Sequence, residues 1–289
     1  MRPRHSVLFV PGINARALEK ARGLDADALI FDLEDSVAPD AKAKARTAIV
    51  AAIAQGGWGR RELILRVNAL NTEWADDDLR AAAQIKLDAV LLPKVESESE
   101  PRKAEAMLIS GGAPLDLGIW CMIETARAVL HAEAIAAATP RLKAFVMGTA
   151  DLSKEICAEE TPLREPMTTA LGLCILAARA YGLAVLDGVH FNVADAAGFE
   201  QSCQQGRRLG FDGKTLIHPS TIAAANRIFA PDDAAIAQAR RVIAAFDEAK
   251  AQGKGVAVLD GRLIERLHVA DAERTLALAA IIGMPHTDR

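Results

Sequence analysis

The sequence is poor in aromatic residues and lacks long apolar runs and any excess of basic charge. Aromatic residues make up only 4% of the 289 residues, and the formal net charge is −4. An acidic balance argues against nucleic acid as the main partner. Because no segment approaches the roughly 18 consecutive apolar residues of a membrane span, we also expect no transmembrane helix and no membrane partner.

Cysteine is scarce, and its spacing fits neither a zinc site nor a redox motif. The four cysteines are Cys121, Cys157, Cys174 and Cys203. We interpret them as buried free thiols of a protein in a reducing compartment. Residues 1–5 lead straight into an apolar run without a cleavage-type ending, so we expect no signal peptide. Together these features predict a cytoplasmic protein.

Apolar residues are abundant, at 51% of the chain, and they form short runs that alternate with helical patterns. The eight runs begin near Ser6, Ala28, Glu62, Ala89, Leu117, Ala144, Leu183 and Thr215. Each is followed by a segment long enough for a parallel crossover. Eight strand–helix units over roughly 225 residues predict a (β/α)8 TIM barrel. A doubly wound open sheet is the alternative, but Pro11-Gly12 matches its glycine-rich first loop poorly.

The pattern changes after residue 230, which divides the chain into a barrel, residues 1–230, and a C-terminal helical extension, residues 231–289. Asp232 is placed to cap a helix that runs to about Gln252. A turn and a short strand follow, and residues 262–282 are predicted as a final amphipathic helix. The apolar stripe of that helix needs a partner surface, either on its own barrel or on a neighbouring subunit.

Two of the apolar runs end in carboxylates. Glu124 follows the run of residues 117–123, and Asp151 ends the run that begins at Ala144. Uninterrupted runs of this kind fit strands buried on both faces, where a carboxylate is costly unless something pairs with it. If the two strands are parallel neighbours, the carboxylates converge at one rim. Two hard oxygen ligands with room for water predict a Mg²⁺ site; two surface carboxylates in loops are the alternative.

Other ionisable residues follow strand ends at the same rim. Arg66 ends the third strand, where it would either bind a substrate carboxylate as a bidentate pair or form an internal ion pair with a nearby acid. Asp32, Glu34 and Asp35 end the second strand. These three would accept hydrogen bonds from metal-bound water, or they would form an acidic cluster that a helix N-terminus favours.

Two further strand-end residues have more than one interpretation. Lys94 is a candidate for a Schiff base, but beside a pair of metal ligands we favour a structural or phosphate-contacting role. His218 would be a ligand or a base, or equally a satisfied core histidine. The chain has no G-x-S-x-G elbow and no Ser-His-Asp order, so nothing indicates a serine hydrolase.

The strand-end motifs, taken in order, resemble those of a known family. They read Phe9-Val-Pro-Gly12, Phe31-Asp-Leu-Glu-Asp-Ser-Val37, Arg66-Val-Asn68, Leu92-Pro-Lys-Val95, Met122-Ile-Glu-Thr125, Gly148-Thr-Ala-Asp151, Gly210-Phe-Asp-Gly-Lys214 and Ile217-His-Pro219. Their order and spacing resemble the citrate lyase β-subunit-like, malyl-CoA lyase group of the HpcH/HpaI-type aldolases. The similarity spans residues 6–282.

The resemblance implies a Mg²⁺-dependent (β/α)8 barrel that acts on 3-hydroxyacyl thioesters and forms a homotrimer or hexamer. It implies that Glu124 and Asp151 hold the Mg²⁺ and that Arg66 binds the carboxylate of a small 2-oxo acid. The backbone at Ala150 and Asp151 would contact the same acid. The remaining matches would lie near the CoA moiety: Phe9, Lys20, Ile217 and His218.

In related lyases the C-terminal segment reaches a neighbouring subunit and supplies a catalytic aspartate. The matching position here is Glu265, which keeps the carboxylate but is one methylene longer. By analogy, Glu265 would exchange a proton with the enolate carbon of the thioester. The ending Glu265-Arg-Leu-His268, together with Asn68 and Thr72-Glu-Trp74, is most similar to a branch that includes (3S)-malyl-CoA thioesterases.

These features imply three candidate functions. The first is a lyase that cleaves malyl-CoA, methylmalyl-CoA or citramalyl-CoA to a 2-oxo acid and an acyl-CoA. The second is a thioesterase that hydrolyses the same substrate to the free acid, such as malate, and CoA. The third is a non-catalytic subunit that binds CoA or an acyl carrier. We expect the first of these.

Overall fold

The computed structural model describes residues 2–282, and within them eight parallel strands close into a barrel. The strands are β1 (Ser6–Pro11), β2 (Ala28–Asp32), β3 (Glu62–Arg66), β4 (Ala89–Leu92), β5 (Gly118–Ile123), β6 (Leu142–Met147), β7 (Ala184–Asp187) and β8 (Gly213–Leu216). Neighbours in sequence are neighbours in the barrel, and β8 pairs with β1. The predicted (β/α)8 barrel is confirmed.

Helices connect the strands and cover the outside of the barrel. They are α1 (Ala15–Ala21), α2 (Lys42–Ala54), α3 (Ala75–Ala83), α4 (Ser99–Ser110), α5 (Ala126–Leu130), α6 (Ala132–Ala136), α7 (Thr149–Glu155), α8 (Thr168–Ala180), α9 (Ala196–Leu209) and α10 (Ile222–Phe229). Two short helices, α5 and α6, follow β5, because the chain leaves helical geometry at His131. None of the helices in residues 2–282 combines the length and the hydropathy needed to cross a membrane.

The strands are buried on both faces, which explains why their sequences do not alternate. Every residue of β2, β3 and β5 is buried, as is usual where helices cover a parallel sheet. Inside the barrel, Trp120 fills the centre together with smaller side chains such as Val7, Ile64 and Leu91. This packed core lies between the strands, so it holds in place the strand ends that carry the ionisable residues.

Strand register brings the carboxyl ends together at one rim. Asp32, the last residue of β2, pairs with Arg66, the last residue of β3. Likewise Ile123 of β5 pairs with Met147 of β6. The sixth strand ends earlier than the sequence suggested: Asp151 lies in α7, four residues beyond Met147. Asp151 therefore belongs to a short helix that follows β6 and not to the strand itself.

The described chain divides into two compact units, of which residues 4–226 contain the barrel. The other unit comprises residues 2–3 and 227–282. After Phe229 it contains α11 (Asp233–Ala251), the strands β9 (Ala257–Leu259) and β10 (Arg262–Ile264), and α12 (Arg266–Ile282). As predicted, the Asp232 side chain caps α11 by accepting a hydrogen bond from the Ala235 N–H at 2.7 Å. Apolar residues of these elements form their own core, which includes Ala239, Val242 and Ile264.

The final helix begins later than predicted, because residues 262–264 pair with residues 257–259 as an antiparallel hairpin. Asp260 and Gly261 form its turn, with φ of 51° and 74°. Both residues have the left-handed backbone conformation that the tight turn of a two-residue hairpin requires. Asp-Gly is a preferred residue pair for this turn. The sequence therefore contained the turn signal.

Three of the four cysteines are buried as expected. Burial raises the pKa of the Cys174 and Cys203 thiols to about 12, so both stay protonated and inert near neutral pH. The prediction is wrong for Cys157, which is exposed. Cys157 lies just after the end of α7, in a stretch whose residues 154–157 are all exposed.

Candidate metal and substrate site

Glu124 follows β5 directly and is almost completely buried, with a relative exposure of 2%. The Gly148 N–H donates to the Ile123 carbonyl at 3.0 Å, which places β6 beside this carboxylate. A Cβ atom on Gly148 would lie 2.6 Å from Oε2 of Glu124. Only glycine at position 148 therefore leaves room for the carboxylate.

Lys94 contacts both predicted metal ligands, Glu124 and Asp151. Its backbone N–H donates to Oε1 of Glu124 at 2.6 Å. Its ammonium group contacts Oδ2 of Asp151 and lies 3.7 Å from Oε1 of Glu124. The structure thus brings Glu124 and Asp151 around one positive charge, although Asp151 lies in the first turn of a helix and is half-exposed.

Burial and neighbouring charges shift the pKa values of Glu124 and Lys94 in opposite directions. Burial raises the pKa of Glu124, and the Lys94 N–H and ammonium group oppose that rise only in part. Partial burial lowers the pKa of Lys94, but its hydrogen bond to Asp151 and the charge of Glu124 outweigh this and raise the pKa overall. A Schiff-base lysine must be neutral to act as a nucleophile. The ion pair therefore argues against the Schiff-base interpretation.

Arg66 forms the internal ion pair that was the alternative to a substrate contact. Its Nε and Nη2 atoms donate to the two carboxylate oxygens of Asp32, at 2.7 and 2.8 Å. The bidentate grip is thus used within the protein, because the register of β2 and β3 sets the two residues side by side. Nη1 faces the acidic loop, 2.7 Å from Oε2 of Glu34 and 3.4 Å from Oδ2 of Asp35. The Arg66 guanidinium also lies 4.9 Å from the centre of the Phe9 ring.

Glu34 is the acid at this rim with the largest increase in pKa. Burial raises the pKa of its carboxyl to about 7; Arg66 opposes the change, and the negative charges of Asp35 and Glu124 add to it. Nη1 of Arg66 approaches Oε2 of Glu34 to 2.7 Å, but without hydrogen-bond geometry, so this is an ion pair only. Glu34 is therefore available to share a proton or to accept a hydrogen bond.

Negative charge exceeds positive charge at this rim. Five carboxylates interact with three cations there: Asp32, Glu34, Asp35, Glu124 and Asp151 with Lys42, Arg66 and Lys94. The acids outnumber the cations even when Glu34, with its pKa raised to about 7, is protonated, and this excess of negative charge suits a divalent cation. Among residues 2–282, no three acidic, histidine or cysteine side chains form a ready-made cage. Mg²⁺ does not need one, because it usually takes one or two carboxylates and keeps several waters.

The predicted CoA contacts lie on different elements of the barrel unit. Phe9 is half-buried in β1, and Lys20 is exposed on α1. Ala150 lies in α7 beside Asp151, and its carbonyl accepts a hydrogen bond from the Ser153 hydroxyl at 3.0 Å. Ile217 follows β8 and is 40% exposed.

The structure excludes the core-histidine interpretation of His218, because this residue is exposed. Its Nδ1 atom is within 2.7 Å of the Ser220 hydroxyl and caps a short helical turn. Glu265 belongs to the C-terminal unit, where it precedes α12 and is exposed. Its backbone N–H donates to Nδ1 of His268 at 3.0 Å.

Sequence analysis missed Lys42, which is buried beneath the acidic loop. Its ammonium group donates to the carbonyls of Leu33 and Glu34, at 2.8 and 2.7 Å, and so fixes the backbone that carries Glu34 and Asp35. A signal was present in the sequence. Lys42 has the same helical spacing as the buried residues Ala45 and Ile49 on α2, and a lysine on an apolar face requires a partner.

The chain is similar to proteins of known function over nearly its whole length. The chain is 50% identical over 281 residues to a (3S)-malyl-CoA thioesterase of Cereibacter sphaeroides, covering 97% of this chain and 96% of that protein. It is 34% identical over 306 residues to an L-malyl-CoA/beta-methylmalyl-CoA lyase of the same species, covering 98% and 96%.

A solved structure is similar over nearly the whole chain. It is protein CitE from Mycobacterium tuberculosis in complex with magnesium, acetoacetate and coenzyme A, with a TM-score of 0.78 and 28% identity, covering 96% of this chain and 98% of that one. The sequence profile of the HpcH/HpaI aldolase/citrate lyase family matches residues 5–219. Because this profile matches most of the chain and the relatives cover nearly all of it, the chain belongs to the HpcH/HpaI aldolase/citrate lyase family.

Proposed function

We propose that the chain is a Mg²⁺-dependent enzyme that acts on malyl-CoA or a closely related CoA thioester. The observation that carries this proposal is the convergence of Glu124 and Asp151 around one positive charge, that of Lys94. Both carboxylates would hold the Mg²⁺. Bound there, the ion would polarise the substrate oxygens and stabilise negative charge that develops on them. The magnesium in the complex of CitE from Mycobacterium tuberculosis supports this choice of metal.

Arg66 would bind the substrate carboxylate through Nη1. The Asp32 carboxylate holds the other two donors of the fork, so the guanidinium is fixed in position before substrate arrives. Such preorganisation avoids an ordering cost during the reaction. Glu34 and Asp35 would accept hydrogen bonds from water on the metal, and they lie on the loop that Lys42 holds in place.

The reaction that we favour is hydrolysis of the thioester bond. The relative at 50% identity is a (3S)-malyl-CoA thioesterase, whereas the lyase relative is 34% identical. In hydrolysis, water adds to the thioester carbonyl, the carbon–sulfur bond breaks, and the CoA thiol leaves with a proton. Carbon–carbon cleavage to a 2-oxo acid and an acyl-CoA is the second candidate, because the same carboxylate pair and Arg66 would suit it.

CoA would lie along the barrel rim near the residues that match the family. These are Phe9, Lys20, Ile217 and His218. Ala150 and Asp151 would contact the acid portion through the backbone of the first turn of α7. Half-buried Phe9 and the 40%-exposed side chain of Ile217 offer apolar surface for the pantetheine arm.

We also propose that the enzyme is a homo-oligomer, a trimer or a hexamer, in which Glu265 completes a neighbour's site as the proton-transfer group. The β9–β10 hairpin exposes an apolar cross-strand pair, Val258 and Leu263, at 69% and 53%. Leu267, two residues after Glu265, is 60% exposed. An apolar surface of this kind beside a carboxylate favours docking on a second copy of the chain.

Product analysis separates the candidate functions. Purified enzyme is incubated with malyl-CoA and with citramalyl-CoA, in Mg²⁺ and in EDTA. Hydrolysis gives free CoA and malate or citramalate, whereas cleavage gives acetyl-CoA and glyoxylate or pyruvate. We expect the first set, in Mg²⁺ only. Absence of turnover with either ester, despite CoA binding, would favour a non-catalytic CoA- or acyl-carrier-binding subunit instead.

The metal assignment is tested with matched variants. Glu124→Gln and Asp151→Asn remove one ligand charge each with little change in shape, and we expect each to lower Mg²⁺-dependent turnover at least about a hundredfold. Asp116→Asn is the control, because Asp116 is an exposed residue in the loop before β5. Full activity of either site variant would defeat the assignment.

A further inference from the structure

The backbone of Lys94 adopts a conformation that residues with a side chain rarely use. Its φ is 52°, in the left-handed region, where Cβ crowds the carbonyl oxygen. At the same residue, the backbone N–H donates to Oε1 of Glu124 at 2.6 Å, and the side chain leaves this turn toward Asp151. Residues held in this region cluster where the surrounding structure uses the geometry. The loop after β4 is therefore shaped around Glu124.

The Lys94 side chain continues from that point across the gap between the two carboxylates. The ammonium group contacts Asp151 and lies 3.7 Å from Glu124. Arg66, the next cation along the rim, has its fork occupied by Asp32. The Lys94 side chain is 39% exposed, so it has an open path away from the carboxylates.

We propose that Lys94 is a built-in competitor for the metal: its ammonium group neutralises Glu124 and Asp151 when no metal is bound and must swing out when Mg²⁺ enters. This inference rests on the proposed metal ligands. Two carboxylates without a cation between them would repel each other and separate. The lysine thus keeps the site assembled, and its displacement reduces the affinity for Mg²⁺. Lys94 is a positioning residue, since its backbone fixes one ligand and its side chain pairs both.

Calorimetric titration of the full-length protein with Mg²⁺ tests the proposal without any substrate. Lys94→Met removes the charge but keeps the backbone N–H, and we expect it to bind Mg²⁺ about three- to tenfold more tightly than wild type. Lys94→Arg keeps a competing cation and should stay within about twofold of wild type. Lys143→Met is the control, because Lys143 is exposed and donates to the Pro140 carbonyl.

Thermal unfolding gives a second readout. In EDTA, Lys94→Met should unfold at a lower temperature than wild type, because its two carboxylates are no longer paired, and added Mg²⁺ should raise its Tm more than it raises that of wild type. Unchanged or weaker Mg²⁺ binding by Lys94→Met would overturn the competition while leaving the proposed function intact. Absence of Mg²⁺ binding by wild type would overturn both.

Discussion

At the scale of single residues, burial and the charge of Arg66 have opposite effects on the pKa of Glu34. Burial raises the pKa of its carboxyl from 4.5 to about 7, while Arg66 draws it down. The folded protein therefore binds more protons than the unfolded chain between these two pH values. The contribution of this group to the free energy of unfolding is complete below pH 4.5 and is lost as the pH rises to about 7.

Glu34→Gln should remove that pH dependence. Near pH 5 the variant carries a neutral group much like protonated Glu34, so its stability should be close to that of wild type. At about pH 8 the variant should be the more stable protein in EDTA, by on the order of 1–3 kcal/mol, because it no longer buries a charge. Urea unfolding at both pH values measures this difference. Asp40→Asn, an exposed acid a few residues along the chain, should show no comparable change.

At the scale of elements, the junction between β6 and α7 decides where Glu124 can lie. The Glu124 carboxylate is held at Oε1 by the Lys94 N–H, and its Oε2 faces Gly148. A side chain at position 148 would overlap Glu124, because an added Cβ would lie 2.3 Å from the Glu124 Cβ and 2.6 Å from its Oε2. The Gly148 backbone itself has an ordinary φ of −91°, so space and not conformation demands glycine.

Gly148→Ala should therefore destabilise the protein by about 1–3 kcal/mol and weaken Mg²⁺ binding, because overpacking at Glu124 must displace a ligand. Gly172→Ala is the matched control. Gly172 lies within α8, where an added Cβ would meet nothing within 4 Å. It should stabilise the helix by about 0.5–1 kcal/mol through its better helix propensity. Denaturant unfolding and calorimetry check both; equal stability of the two variants would contradict the packing argument.

At the scale of the whole molecule, the proposed sharing of sites between subunits would make two mutant chains complement each other. Glu124→Gln chains supply an intact Glu265, and Glu265→Gln chains supply an intact barrel. We expect each variant alone to be nearly inactive, and mixed oligomers from co-expression to regain about a quarter of wild-type activity if one subunit's Glu265 serves another's barrel. Activity of the purified mixture on malyl-CoA measures this. A mixture as inactive as its parents would place Glu265 in its own subunit's site, whereas an active Glu265→Gln parent would place Glu265 outside catalysis.

The barrel followed from the sequence because its signals are local and repeat eight times. The unbroken apolar runs of β2 and β5 identify strands buried on both faces, and the segments between them fit crossovers. Element ends were less well predicted. Arg262–Ile264 was predicted to be helical, and its pairing with Ala257–Leu259 depends on the turn at Asp260 and Gly261.

The sequence by itself determined the fold and the family, and it named the ionisable residues that follow the strands. Only the tertiary structure decided which of them pair: Arg66 with Asp32, Lys94 with both Glu124 and Asp151. The physical reason is that pairing depends on distance, burial and competition among charges. Those quantities exist only once strands distant in sequence are brought into register at one rim.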